Sequence, residues 1–302
     1  MALTLIYCIF LISLPAMFQV ASYPSSSFPM HGHGHHQKQQ QVSSPSIQLP
    51  RTLARPPFAE ASREAILAAA PELASVPAEY IRRGLRSRAN EMLAGISVLS
   101  GSHLPSSMPR SHMQATISIP IRPTQAPPTY PTHVLALSSS KSSSDSVMLF
   151  PVHSLILASH CASLPRMPPP ASPPSTTLHL PVLPFSLPSP AAFSILHTYM
   201  YNHRLDSVLK SLFPLPAGFL QSLSHHTVQT TLSSGTTLHQ LSAYLCSSAG
   251  SNLHTLTSHA AHVKELWQDM VALGLHDPEL WDTIDLAWEV VLGALNLAAK
   301  GH

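Results

Sequence analysis

Charge is scarce in this chain of 302 residues: Asp, Glu, Lys and Arg make up 10% of it, where an ordinary globular domain holds roughly a quarter. Glycine is scarce too, at 11 residues, and none of them builds a Gly-rich phosphate loop or a Gly-x-Ser-x-Gly elbow. A His-Glu-x-x-His pair is also missing, so the common signatures of nucleotide, hydrolase and zinc-protease chemistry are excluded. Between Met92 and His203 the single acid is Asp145, which leaves no carboxylate pair there for acid–base work. Three cysteines, Cys8, Cys161 and Cys246, with no Cys-x-x-Cys, describe no disulfide framework and read as reduced cytosolic or nuclear thiols. Asn-x-Ser/Thr sequons are absent, which leans against secretion.

What the chain has is proline, 30 residues of it, about twice the usual share. Hydrophobic residues amount to 44%, enough for a sizeable core set between Pro- and Ser-rich stretches that pack poorly. Net charge is +2, but it is unevenly spread. Seven arginines fall between Arg51 and Arg88, whereas Lys264 to Glu289 holds seven acids and one Lys. Such ends either attract each other or face different partners.

Five segments follow from composition and periodicity. Residues 1–57 open with the uncharged run "MALTLIYCIFLISLPAMFQVA". It reads as a signal peptide or anchor, or as an extension upstream of a working start at Met17 or Met30. From residue 22 the chain reads as disordered, and it includes the His/Gln-rich tract "MHGHGHHQKQQQ". Order is expected from Phe58. Residues 58–99 carry a short Ala-rich helix ended by Pro71, then a second helix begun at Pro77. Its apolar face is Ile81, Leu85, Met92, Ile96 and Leu99, with Arg82, Arg83, Arg86 and Arg88 around the remainder. Residues 100–130 read as a linker.

Residues 131–250 read as an α+β core. "HVLALS" and "VMLFPV" are strands, the second apolar on both faces as a buried strand is. Ser154 is placed to cap a helix with Leu157, Cys161 and Leu164 on one side. "TLHLPVLPFSL" alternates like a strand, and its prolines suggest an edge. Ser189-Pro190 and Asp206 are placed to open two further helices. Residues 251–302 read as acidic, Trp-bearing helices, one stopped by Gly274 and the last begun at Asp277-Pro278. In that last helix Trp281, Ile284, Trp288, Val291 and Leu295 form an apolar stripe beside Glu279, Asp282, Asp285 and Glu289.

Twenty histidines invite a metal reading, but Cys246, His254, His259 and His262 are separated by gaps of 7, 4 and 2 residues, which match no common structural-zinc pattern. No metal, cofactor or catalytic residue is assigned. In "VMLFPVHSLILASHCASLP", His153 and Cys161 read as turn and core. The cluster "RRGLRSR" reads as a solvated face, an import signal or a site for an acidic partner; no DNA-binding pattern accompanies it, so direct nucleic-acid binding is not expected. Tyr80, Arg82, Arg83, Arg86 and Arg88 are candidates for one partner-binding surface, and Trp281 and Trp288 for another, as aromatic anchors if exposed.

The middle of the chain resembles a BTB/POZ domain in element order and in Phe150, His153, Leu157, Ala158, Ser159, Pro190, Phe193, Leu196 and Tyr201. More specifically, "VPAEYIRRGLRSRANEMLAGIS", "FPVHSLILASHCASLP", "LPVLPFSLPSPAAFSILHTYMY" and the Trp-bearing C-terminus are similar to the clampless-type proteins of mushroom-forming fungi. The resemblance implies a non-enzymatic, nuclear regulator of mating-type-controlled clamp-cell formation and dikaryotic development. Its implied partners are regulatory proteins, with mating-type homeodomain transcription factors and a second copy of the chain among the candidates. The contrasting expectation is a secreted or membrane-anchored His-rich surface protein, should residues 1–21 be a signal peptide or anchor.

Overall fold

The computed structural model describes residues 17–19, 48–100, 104–121, 129–168 and 176–300. Strands β1 (Met17–Gln19) and β2 (Gln48–Pro50) form a small antiparallel ladder. Helices α1 (Arg63–Ala69), α2 (Ala78–Arg86) and α3 (Ala89–Ser100) follow, then strands β3 (Ser107–Pro109), β4 (Thr116–Pro120), β5 (His133–Ser139) and β6 (Ser146–Val152). Helix α4 (Ser154–His160), strand β7 (Thr177–Leu187) and helices α5 (Phe193–Asn202), α6 (Leu205–Leu212) and α7 (Ala217–Gln221) come next. The chain ends in α8 (His225–Leu232), α9 (Gly235–Ser248), α10 (Leu253–Leu273) and α11 (Pro278–Lys300). The fold is α+β, as the sequence predicts. The hydrophobic N-terminal run, apart from 17–19, and the His/Gln-rich tract lie outside the described residues.

Five strands make one sheet in the order β3-β6-β5-β7-β4, mixed because β5 and β7 run parallel while the other pairs are antiparallel. Alternation along β5 sends Leu135 and Leu137 to one face and Val134 and Ala136 to the other. Both faces are covered. The first joins Phe150, Val152, Leu157, Phe193 and Leu196 in the large helical core, with the Phe150 and Phe193 rings edge-to-face at 4.9 Å. The second packs Ile119, Leu149 and Leu180 beneath Leu99 of α3.

Several expectations need correction. The stretch 100–130 read as a linker, yet it supplies β3 and β4, the two outer strands of the sheet. Strand β7, expected at an edge, lies inside the strand order. Its N-terminal half pairs with β4 and its C-terminal half with β5, so along most of its length one side is unpaired. That geometry explains Pro181 and Pro184 within it, because a missing N–H costs nothing where no ladder bond is made. The single helix expected over 78–99 is two, parted at Ser87 and Arg88, with the Ser87 hydroxyl donating to the Gly84 carbonyl at 2.8 Å. The apolar positions still bury as expected: Ile81, Met92, Ile96 and Leu99 are in the core. Structure reaches upstream of Phe58, where order was expected to begin: β1 and β2 both precede it.

Three capping assignments also shift. Thr132, not Ser154, meets the start of α4, its hydroxyl accepting the Ser154 N–H at 2.7 Å. Helix α5 begins only at Phe193, and Ser189 instead gives its hydroxyl proton to Glu265 at 3.1 Å and its N–H to Asp269 at 2.9 Å. Asp206 sits in the first turn of α6, paired with Arg204 at 2.6 Å. The C-terminal signals hold. Gly274, at φ 60°, ends α10, and Asp277 Oδ1 accepts the N–H groups of Glu279 and Leu280 at 3.0 and 3.3 Å to open α11.

Helix α11 is the axis of the C-terminal half, packed by α6, α8, α9 and α10. A Cβ on its Gly293 would run into Ser242 of α9, so glycine there permits the close approach. Helices on either side of residue 250 therefore share one core. The two halves are also laced together by backbone. Cys161, at the end of α4, bridges Leu275, and the Ala162 and Ser163 N–H groups donate to Gly274 and Leu273 at 3.2 and 3.0 Å.

Candidate interaction surface and the cleft beneath it

Helix α2 starts after Pro77 and lays Ala78 and Ile81 against α4. The remaining positions are polar, and the structure sorts them into three kinds. Arg82 reaches inward to the Ser159 carbonyl at 2.8 Å, and Arg86 to the His203 carbonyl at 3.4 Å. Both carbonyls lie at or near helix C-termini, where a cation is favoured. Tyr80 and Arg83 point outward. Tyr80 is 60% exposed, the Arg83 guanidinium stacks over its ring at 5.6 Å, and Arg83 also pairs with Glu79 at 3.2 Å. Arg88 belongs elsewhere, bound to Glu91 at 3.3 Å and to the Thr129 hydroxyl at 3.1 Å. Of the five residues expected to form one surface, Tyr80 and Arg83 are exposed, Arg82 and Arg86 brace the helix, and Arg88 lies at the break before α3.

Between α2, the ends of α4 and α5, and the start of α11 lies a cleft of about 770 Å³, bordered by Phe58, Arg82, Arg86, His160, His203 and Asp277. Its floor is a hydrogen-bonded row. The His160 Nδ1–H donates to the Ile156 carbonyl at 2.8 Å, which leaves Nε2 to accept from His203 Nε2–H at 3.2 Å. His203 Nδ1 faces Asp277 Oδ2 at 3.6 Å, which sets its ring between His160 and the carboxylate. His203 also holds φ 50°, the left-handed cap of α5, with its N–H on the Tyr199 carbonyl at 2.8 Å. Burial, with His203 adjacent, pushes the His160 imidazole down to about 3. Burial alone would raise the Asp277 carboxyl, but His203 and the Leu280 N–H bring it down to about 2. The Tyr199 hydroxyl is buried nearby without a hydrogen bond of ordinary geometry, and burial raises its pKa.

The thiol that follows His160 in the chain is not an activated nucleophile. Burial pushes the Cys161 thiol up to about 12, with its sulfur against Met200 at 3.8 Å. His153, in the turn after β6, is engaged at both ring nitrogens, with the Tyr201 hydroxyl at 3.0 Å and the Thr129 carbonyl at 3.2 Å. Among the described residues no group of three or more His, Cys, Asp or Glu is arranged to hold a metal ion. No helix among them is long and apolar enough to cross a membrane.

Trp281 and Trp288 require a correction, because each is 1% exposed. The stripe that would have made them anchors instead makes them core, their indole N–H groups donating to the Leu275 and Pro50 carbonyls at 3.0 and 3.2 Å. Three of the four acids beside them are engaged by arginines from upstream of α1. Arg51 pairs with Glu289 at 3.2 Å, and Arg55 with Asp282 at 2.6 Å and with Asp285. Sequence reasoning missed this arm and the His160–His203–Asp277 row. For the arm a signal existed, since two arginines four residues apart match three acids along one face of α11.

Two family models meet this chain. Residues 56–188 match the Clampless protein 1 N-terminal domain, and residues 206–302 match the Clampless protein 1 C-terminal domain, together about three quarters of the chain. The chain belongs to the Clampless protein 1 family. In this clampless-family chain the cleft falls at the joint of the two matched segments: His160 comes from the first, Asp277 from the second, and His203 from the stretch between them. Two curated relatives, both named Clampless protein 1 and both from strains of Cryptococcus neoformans var. neoformans serotype D, are 27% identical over 132 residues. That match takes in 44% of this chain and 24% of each relative, so the chain spans about a quarter of the length of the curated relatives it matches. No solved structure matches it.

Proposed function

We propose that this clampless-family chain is a non-enzymatic regulator of clamp-cell formation and mating-type-controlled dikaryotic development in a basidiomycete. It acts by protein contacts in the nucleus, on regulatory proteins such as mating-type homeodomain transcription factors. Family membership supports the developmental role. The observation that carries the contact mechanism is the Tyr80–Arg83 pair, an exposed aromatic ring with a guanidinium over it, on a helix braced from behind by Arg82 and Arg86. Tyr and Arg are the side chains that most often dominate protein interfaces. We also read the strand–strand–helix–strand–helix run over 133–202 as a divergent BTB-type scaffold for that helix. The support is Phe150 and Phe193 packed edge-to-face in the core and His153 bound to Tyr201.

The test is genetic complementation with a tagged full chain carrying Tyr80→Ala and Arg83→Glu. The expected outcome is a nuclear protein at normal abundance that fails to restore clamp cells to a strain lacking the gene. Full restoration would sink the α2 surface. A wild-type copy found outside the nucleus would sink the proposed location.

A further inference from the structure

The arm over residues 48–55 is held unlike any other segment of the fold. Leu53 is its buried side chain, at 6% exposure, and Leu49 packs partly buried against the same core. Residues 48–50 also pair with β1, and the remaining attachments are polar. Two indole N–H groups grip its backbone: Trp288 donates to the Pro50 carbonyl at 3.2 Å and Trp267 to the Ala54 carbonyl at 3.1 Å. Arg51 reaches Glu289, and the Arg55 guanidinium spans Asp282 and Asp285. Asp282 is itself positioned by His225 at 2.7 Å and Gln229 at 3.2 Å from α8.

These contacts are those of a peptide in a receptor. Main-chain carbonyls are held by fixed side-chain donors, while alternate side chains are read by pockets and charges. The pattern read is Arg-x-Leu-x-Arg, at positions 51, 53 and 55. Groove and occupant are also separable, since the groove lies wholly within the segment matching the C-terminal domain and the arm precedes both matched segments. Charge selects the occupant: three carboxylates on one face of α11 call for a basic segment and exclude an acidic one. We propose that the face formed by α10 and α11 is a binding groove for basic peptide segments carrying Arg-x-Leu-x-Arg on a partner protein. The chain's own residues 50–55 fill it as a tethered competitor. A short tether supplies an effective concentration on the order of millimolar, so a weak internal ligand suffices to keep the groove filled until a better one arrives. This groove is independent of the Tyr80–Arg83 surface.

The experiment uses the full chain and a fluorescein-labelled peptide of residues 48–57, followed by anisotropy. Vacating the groove with Arg51→Glu, Leu53→Asp and Arg55→Glu should raise peptide affinity at least tenfold over the wild type. Added salt should weaken the binding, and Asp282→Lys with Asp285→Lys should abolish it. Tyr80→Ala should change nothing. A vacated chain that still unfolds in one cooperative thermal transition but binds no peptide would overturn the proposal, as would binding that survives the two Lys substitutions. Should the vacated chain fail to fold, deuterium uptake by wild-type Leu53 and Ala54 decides. Saturating unlabelled peptide speeds that uptake if the groove exchanges its occupant, and no change at millimolar peptide overturns the idea. Concentration-dependent dimers of the wild type that the vacated chain cannot form would assign the groove to a second copy and overturn the partner claim.

Discussion

Arg51 and Arg55 differ from Arg82 and Arg86 in what they neutralise. The arm arginines meet carboxylates 227 to 238 residues away, on one face of α11. The α2 arginines meet backbone carbonyls, Ser159 and His203, and carry no acid with them. The first pair is electrostatic matching between distant parts of the chain; the second is helix-end packing. A charge count over Arg51–Arg88 treats all seven arginines as one basic patch. The fold separates them: Arg51 and Arg55 meet distant acids, Arg63, Arg82 and Arg86 meet backbone carbonyls, and Arg83 and Arg88 pair with nearby glutamates.

Acid should separate the two regions most sharply. Burial holds the imidazoles of His153 and His197 down to about 4 and that of His160 down to about 3, all in the body behind α2. The unfolded chain protonates these groups near pH 6.5, so it binds more protons than the native state as pH falls below that value. Stability is therefore full above about pH 6.5 and is lost progressively toward pH 4. Asp269 works the other way, because burial lifts its carboxyl to about 7, and acidification relieves that cost. Three histidines against one carboxyl, at about 1.4 kcal/mol per pH unit, leave a net loss of a few kcal/mol by pH 4.5, readable from urea unfolding at stepped pH. A flat profile between pH 7 and 4.5 would contradict the buried, neutral imidazoles.

The next largest effect sharpens the arm side. Trp288→Ala empties a core site and frees the Pro50 carbonyl, at an expected cost of about 3–5 kcal/mol. Trp267 donates to the same arm from a partly exposed position, and Trp267→Ala should cost nearer 1 kcal/mol. Equal costs in denaturant titrations would mean that the arm, and not the core, sets the value of Trp288.

Smallest is the charge comparison itself. The arm ion pairs are partly exposed, so Arg51→Glu with Arg55→Glu should lower stability by about 1 kcal/mol, and less so at high salt. Arg83→Glu on the exposed face should stay within about 0.5 kcal/mol. Melting temperatures at low and high salt check both.

Much of this architecture is legible in the sequence, and the failures share a cause. Periodicity marks Ile81, Met92, Ile96 and Leu99 as one face because burial repeats with the helix. It does not report the break at Ser87 and Arg88, since the apolar phase carries straight across. Gly274 and Asp277-Pro278 are readable because a helix end is decided locally. Ser189 is not, because Glu265 and Asp269 take its hydrogen bonds from far along the chain. The apolar stripe of α11 announces Trp281 and Trp288 but not which side of it is solvent. The His160–His203–Asp277 row joins three elements, and no window of sequence contains it.

The arm's attachments also fix an order of events during synthesis. Arg51 leaves the ribosome 238 residues ahead of Glu289, its partner. At roughly 5–20 residues per second that is an interval on the order of ten to fifty seconds, during which the sheet and α2 can form before the arm's acidic partners on α11 exist. Closing so long a loop must follow the local contacts that make α10 and α11. The arm's ion pairs are thus among the last contacts to close, and each newly made chain passes through a moment in which Arg51 and Arg55 lack their acids.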